Sequence, residues 1–370
     1  MKMFKKAAAL ILAVALVFTL AACHTKDEVA VSSGDYEITS AMYSYYLVMA
    51  DSEAKGIIGE DKDIDTTKKG FSYYKQKIGD KTFEQYVKDL ALENCLKHIA
   101  YQKLCDENKL TLTDEAKAAA QQQAYYYWYY YGYGSIFEAN GVSYATYEKL
   151  MLNSNLADLY FKHLYDKDGS KAVSAADIQK TLDDNYAAVY MLTKDYSSEE
   201  KPDVDALKAE LEKYKTRYEA GEDFAALSKE YNKTTDTSSS TTSTSSEETS
   251  SGTTSSEAEP APQDENISIL GSADTGVAFD KFDEVKKMEI GATAIISDTD
   301  KKVIYFIVKK DINADTYYRD EYLKSDILYL LKGDEYEKDI ADYAGKLDYS
   351  VSDFAINQFK VKKINDGTQA

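Results

Sequence analysis

Only three cysteines, three histidines, three prolines, two arginines and one tryptophan occur in the 370 residues. Each shortage excludes something. Beyond Cys23 the cysteines are Cys95 and Cys105, ten positions apart in what reads as one helix. Ten helical residues rise roughly 15 Å, too far for a bridge within that helix. Both therefore read as buried thiols, and the fold is not a disulfide scaffold. His24, His98 and His163 are scattered without ligand spacing, so no metal site is expected. His98 and His163 read as surface or half-buried helix residues. No Gly-rich phosphate loop and no Ser/His/Asp arrangement stands out, and no cofactor is expected. Arg217 and Arg319 are the only arginines, and 64 acidic residues against 44 basic give a net charge of −20. Such a surface repels phosphate backbones, which argues against nucleic acid as a partner.

What is abundant lies elsewhere. Lys2, Lys5 and Lys6 precede an uncharged apolar run from Ala7 to Ala22, the layout of a secretory signal. That run is shorter than the roughly 20 apolar residues that a membrane-spanning helix needs. Leu20-Ala21-Ala22-Cys23 resembles the lipobox of bacterial lipoproteins. The resemblance implies that residues 1–22 are a signal peptide and that the Cys23 thiol carries a diacylglycerol. Residues 23–28 then form a lipidated tether. Two or more acyl chains anchor stably, so the lipid bilayer is an expected partner and the mature chain is expected outside the cytoplasm. Removing the three leading lysines leaves 41 basic residues against 64 acidic, a formal charge of −23.

Periodicity divides the remainder. Val29-Ala30-Val31 reads as a brief strand, Gly34-Asp35-Tyr36 as a turn, and Thr39 as the cap of a helix through Met49. The polar stretch from Asp51 to Gly70 reads as a loop. Apolar residues recur at three- and four-residue spacing from Thr82 to Asn108, predicting the clearest long helix. Further helices are expected from Thr113 through Tyr131, from Tyr144 to Tyr165, and from Ser174 to near Tyr186. The middle changes character. Ala187 to Leu192 reads as a strand and Asp205 to Glu219 as a helix ended by Gly221. Asp223 caps a short helix with Phe224, Leu227 and Tyr231. From Thr234 to Glu257 the chain is nearly all Ser and Thr, too polar to offset its ordering entropy, and is expected to be disordered. Strands follow at Ile267 to Leu270 and Val303 to Val308, then a helical segment from Thr316 to Leu347. The predicted class is α+β: a mainly helical lobe with an inserted small α/β domain.

Tyrosine is the compositional anomaly, at 33 residues. Tyr125, Tyr126, Tyr127, Trp128, Tyr129, Tyr130 and Tyr131 place seven aromatic rings in a row. On a helix these point all round, so one buried face cannot absorb them all. Among the arrangements open at this point are an exposed surface for weak binding of unfolded segments and packing between helices with the hydroxyls at the rim. Stacking on cell-wall sugars is a third.

In order and spacing, these segments resemble the PrsA and SurA class of extracytoplasmic foldases. Val29 to Thr39 is similar to that class's opening strand, turn and helix, with Gly34, Ile38 and Thr39 matching. Ala220-Gly221-Glu222-Asp223-Phe224-Ala225-Ala226-Leu227-Ser228 resembles the "G-x-D-F-x-x-L-A" segment of parvulin-type peptidyl-prolyl isomerases. Gly271, Gly291 and the strand Val303 to Val308 follow in parvulin order. The resemblance implies an N-terminal helical chaperone region at 29–185 and a parvulin-like domain at 186–311, interrupted by an insert at 233–266. A C-terminal helical region at 312–370 would complete the lobe. It further implies a membrane-anchored foldase whose partners are unfolded or nascent exported polypeptides.

Two departures bear on activity. A parvulin's first and last strands each carry a histidine, and here Tyr190 and Phe306 stand at those positions. With Met288 and Tyr305 they are the candidates for a degenerate parvulin pocket, or are core. No confident catalytic residue emerges. Isomerisation needs no nucleophile, only an apolar pocket that binds the twisted imide, so an active isomerase stays open. So do a surface lipoprotein binding carbohydrate or peptide, and a spacer that reuses the fold.

Overall fold

Thr39, Thr82, Thr113, Ser143 and Ser174 each begin a helix in the computed structural model, which describes residues 28–235, 264, 266–312 and 321–367. Each hydroxyl accepts a hydrogen bond from the backbone N–H three residues on, satisfying a donor that a helix start leaves unpaired. Thr82 and Gln85 complete a reciprocal capping box. The expected signal, Cys23 and most of the Ser/Thr tract lie outside the described residues. Among those described, no helix is long and apolar enough to cross a membrane. The class is α+β.

The chain divides into two compact units. One comprises the chain up to Lys171 together with Asp334 onward; the other is Ala172–Gly333. The first unit opens with strands β1 (Val29–Ser33) and β2 (Tyr36–Thr39), an antiparallel hairpin turning at Gly34, whose φ is +61°. Helix α1 (Ser40–Glu60) follows, then a two-strand ribbon of β3 (Lys77–Ile78) and β4 (Lys81–Thr82), and helix α2 (Phe83–Glu107). Helices α3 (Asp114–Tyr129), α4 (Tyr133–Ala139) and α5 (Tyr144–Tyr165) complete this stretch. Two expectations are corrected here. Residues 51–60 are helical rather than loop, because the buried stripe of Leu47, Ala50, Asp51, Ala54 and Ile58 keeps helical spacing although one member is charged. Helix α3 stops at Tyr129 rather than Tyr131, because Gly132 takes a left-handed conformation with φ +75°.

The second unit starts with α6 (Ala175–Asn185), which leads directly into β5 (Tyr186–Asp195). Helices α7 (Val204–Glu219) and α8 (Phe224–Thr235) come next, joined through Gly221 at φ +95°. Strand β6 (Ile267–Gly271), helix α9 (Phe282–Lys286), and strands β7 (Thr293–Asp298) and β8 (Val303–Lys310) follow. The sheet is antiparallel throughout, in the order β6-β5-β8-β7. Side chains alternate between its faces. Leu192, Ile304, Phe306 and Val308 pack under α7 and α8. Ala187, Val189, Tyr305 and Ile307 meet Phe282 and Val285 on the other side. Strand β7 and the extension of α8 through residue 235 are additions to the sequence reading.

Helix α10 (Glu321–Ala344) carries the chain from the second unit back to the first, and β9 (Ser350–Val351) and α11 (Asp353–Asn357) follow. The division between the two units falls at 171/172 and 333/334. The reason is packing: Ile178 and Leu182 of α6 share a core with Tyr186, Leu323 and Ile327. Beyond Gly333, Tyr336 is buried against Phe161, with ring centroids 5.0 Å apart, and its hydroxyl donates to the Ala157 carbonyl at 2.7 Å. Strand β9 pairs antiparallel with β1, giving the sheet order β2-β1-β9.

Tyr336 therefore ties the returning helix into the first unit. Tyr336→Phe removes one hydrogen bond and should lower stability by about 1 kcal/mol. Tyr336→Ala leaves a cavity as well and should cost about 3–5 kcal/mol. Urea unfolding followed by the fluorescence of Trp128, the sole tryptophan, reads both, and unchanged midpoints would contradict the assignment.

Candidate functional site

The aromatic block sorts by helical phase. Ala120, Ala124 and Trp128, spaced four apart, form the buried stripe of α3. The small alanines let the helix approach α5, and the indole closes the contact. Trp128 is 4 % exposed and lies against Phe137, Tyr144 and Tyr147, with centroids 6.1, 5.6 and 5.3 Å away. Gly134 makes this possible, since a Cβ there would sit 2.5 Å from Trp128 Nε1. The tyrosines point outward. Tyr125, Tyr126, Tyr129, Tyr130, Tyr131 and Tyr133 are all exposed, Tyr130 to 76 %, and Tyr127 is half-buried. They lean on one another: Tyr125 on Tyr129 at 4.8 Å, Tyr126 on Tyr130 at 4.9 Å, and Tyr131 on Tyr133 at 6.2 Å. The result is a continuous phenolic surface backed by one buried indole.

Beside it lies a groove of about 510 Å³. Tyr45, Val48, Met49 and Asp51 of α1 form one wall, Tyr133, Ile136 and Phe137 of α4 another, with Tyr147, Lys55 and Asp366 completing it. Three of its rings brace each other: Tyr45 lies 5.0 Å from Phe137 and 6.0 Å from Tyr147, and Phe137 lies 5.2 Å from Tyr147. At the polar end Lys55 Nζ sits 2.7 Å from Asp51 Oδ2 and 2.5 Å from Asp366 Oδ2. Asn140 fixes the segment that brings Asp366 here, donating to the Asn365 carbonyl and accepting from the Asn365 N–H. Asp51 is 1 % exposed, and its Oδ1 has no hydrogen-bond partner among the described residues. Burial raises its carboxyl pKa, and Lys55 partly offsets that. A buried acceptor left unpaired costs about 1–3 kcal/mol. A second opening of about 410 Å³ shares Tyr45, Met49 and Ser52 and adds Tyr46, Glu53 and Asn94. Sequence reasoning missed Asp51 and Lys55 by placing them in a loop; their four-residue spacing was the available signal.

The second unit separates the four residues expected to share a pocket. Tyr190 and Phe306 belong to the face under α7 and α8, whereas Tyr305 and Met288 belong to the opposite face. Tyr305 and Phe306 are neighbours in a strand, so the pleat alone forbids a common cleft. Phe306 is 0 % exposed and lies within 6.3 Å of the Phe224 and Tyr218 rings. Tyr190 stacks on Phe224 at 4.6 Å, donates its hydroxyl to Asp264, and carries Lys310 Nζ 4.2 Å above its ring. Packed aromatic side chains therefore occupy both of these strand positions.

His98, expected at the surface or half-buried, is 1 % exposed in α2, with Nδ1 2.7 Å from the Tyr46 hydroxyl and Nε2 without a partner among the described residues. His163 is exposed. Burial pushes the His98 imidazole pKa down to about 3, from an ordinary 6.5. Unfolding between those limits therefore takes up a proton. The stabilisation is complete above about pH 6.5 and falls as pH drops toward 3. His98→Gln should remove up to ~1.4 kcal/mol per pH unit from the acid-side slope of stability. Urea midpoints from pH 7 to about 4 check this, and parallel slopes would contradict it.

No protein-family model matches the sequence, and no curated protein matches it. Among solved structures, the chain is similar to the crystal structure of foldase protein PrsA from Streptococcus pneumoniae str. Canada MDR_19A. The match has 16 % identity and a TM-score of 0.40, and covers 77 % of this chain and 98 % of that one.

Proposed function

We propose that this protein is an extracytoplasmic chaperone, anchored to the membrane through a lipidated Cys23, that holds exported polypeptides while they fold. The observation that carries the reading is the phenolic surface of Tyr125 to Tyr133 lying beside the aromatic groove in the same unit. An exposed aromatic patch of this kind suits weak contact with many apolar segments, because each tyrosine offers rigid, amphipathic area at low entropic cost. Several such contacts on one client act together, so each can release quickly while the client stays held. The formal charge of −23 on the chain without its signal keeps a loaded complex soluble. The lipobox resemblance at Leu20 to Cys23 supports the location.

In this reading the α/β unit is a scaffold or binding domain without turnover. Packing of Tyr190 and Phe306 into an aromatic cluster supports that, since the twisted imide of a prolyl bond needs an open apolar pocket.

Two parallel assays test the proposal. The protein should suppress aggregation of an unfolded client and leave the isomerisation rate of a proline-containing test peptide at its uncatalysed value. Replacing Tyr126, Tyr129, Tyr130 and Tyr131 together by serine should raise the concentration needed for half-protection roughly tenfold. Each surface change should move stability by no more than about 0.5 kcal/mol. A quadruple variant that protects as well as the parent would sink the assignment of the patch, and clear isomerisation would restore an enzymatic role to the α/β unit.

A further inference from the structure

We propose that the face formed by α11 and the turn at Val361–Lys363 rests on the headgroups of an anionic bilayer, so that the anchored body is held in one orientation. This rests on the reading that Cys23 is lipidated, and names the surface that the body turns to the membrane. Three observations converge. The first is where the chain enters the body. Glu28 is the fifth residue after Cys23, and five peptide steps span at most about 18 Å even fully extended. Whatever surrounds Glu28 is therefore kept close to the lipid. What surrounds it is the far end of the chain. The Ser352 N–H donates to the Ala30 carbonyl at 2.9 Å, Val351 pairs with Val31, and Gln358 Nε2 reaches Glu28 Oε2 at 3.5 Å.

The second observation is charge. Val361 and Ile364 are buried, which turns Lys360, Lys362 and Lys363 to solvent. None of the three has an ion-pair partner among the described residues, and Glu84, whose carboxylate they approach, is already paired with Lys88 at 2.9 Å. Residues 350–364 carry these three lysines against one acid, Asp353, whereas the chain without its signal has a formal charge of −23. An anionic surface repels such a chain as a whole and attracts this face. The third is an apolar contact beside the lysines. Phe354 of α11 is 71 % exposed, and Val29, next to Glu28, is exposed as well. An aromatic ring at headgroup level flanked by lysines is the chemistry of a membrane interface. An unfolded polypeptide offers no comparable density of negative charge, and a lipid anchor by itself leaves the body free to turn.

The lipidated mature protein is reconstituted in vesicles of phosphatidylcholine, with and without phosphatidylglycerol. A fluorophore on Asn357→Cys reports contact, because Asn357 is exposed in α11 while Cys95 and Cys105 are buried. Quenching by a headgroup-nitroxide lipid should be roughly threefold stronger in the anionic vesicles, and high salt should remove the difference. Replacing Lys360, Lys362 and Lys363 together by serine should also abolish it, and Phe354→Ser should weaken quenching about twofold in both vesicles. All four side chains are exposed, and urea midpoints equal to the parent's show that the fold is kept. Equal quenching in the two vesicle types, or a difference that survives the lysine substitutions, would overturn the docking face. Soluble polyphosphate at the same phosphate concentration should not displace it, since the tether holds the bilayer at high effective concentration. Displacement would assign the lysines to a phosphate polymer instead. Mass spectrometry of the Cys23 peptide separates the two levels. A chain without diacylglycerol overturns the anchoring reading, whereas a lipidated chain with an unquenched label overturns the docking face alone.

Discussion

Phenol hydroxyls find protein acceptors throughout this fold, on rings that are buried and on rings that are half-exposed. In the first unit Tyr336 donates to the Ala157 carbonyl, Tyr165 to Glu335, Tyr343 to Glu107 and Tyr36 to Asp106. In the second, Tyr186 donates to Asp326, Tyr231 to the Thr193 carbonyl and Tyr190 to Asp264. Most of these partners are carboxylates far away in sequence. The two compositional anomalies, 33 tyrosines and 64 acidic residues, are therefore linked. The acids supply acceptors, and the phenols turn surplus negative charge into tertiary bonds. The effect is visible on the phenols: the Asp106 hydrogen bond pushes the Tyr36 pKa up to about 12, and burial, aided by Glu107, does the same to Tyr343.

The groove and the phenolic surface share one support. Trp128 braces Phe137 and Tyr147 from behind, and the same helix turns Tyr125, Tyr126, Tyr129 and Tyr130 to solvent. A single helical turn of sequence thus supplies both the interior that rigidifies a wall and the exterior that is free to touch a partner. Gly134 sets the spacing between them by yielding room to the indole.

The long helices were legible because their caps and their three- and four-residue spacing are local signals. Thr82 to Asn108 and Tyr144 to Tyr165 could be read almost to the residue. What escaped was what depends on distant partners. The helical stretch from Asp51 to Glu60 hides its periodicity because a charged residue sits in its buried stripe, an arrangement stabilised by Lys55 and by Asp366 from the far end of the chain. Burial of His98 depends on Tyr46, which lies in another helix. The separation of Tyr305 from Phe306 was available in the sequence through the two-residue pleat, once β8 was taken as a strand with two covered faces. The seam at 171/172 needed knowledge that Leu182 and Ile327 share a core.

Strand β1 lies between β2 and β9, and Ser32 meets Ser350 across 318 residues. Synthesis delivers a chain gradually, and domains form as units while it appears. The second unit is continuous in sequence and holds all its own strands by residue 310. The first must wait for α10 and β9 to emerge, with one edge of β1 unpaired and the docking place of Tyr336 unfilled. Closing so long a loop carries an entropic penalty that delays this step. The nested order of the chain thus makes the unit that bears the phenolic surface the last to mature.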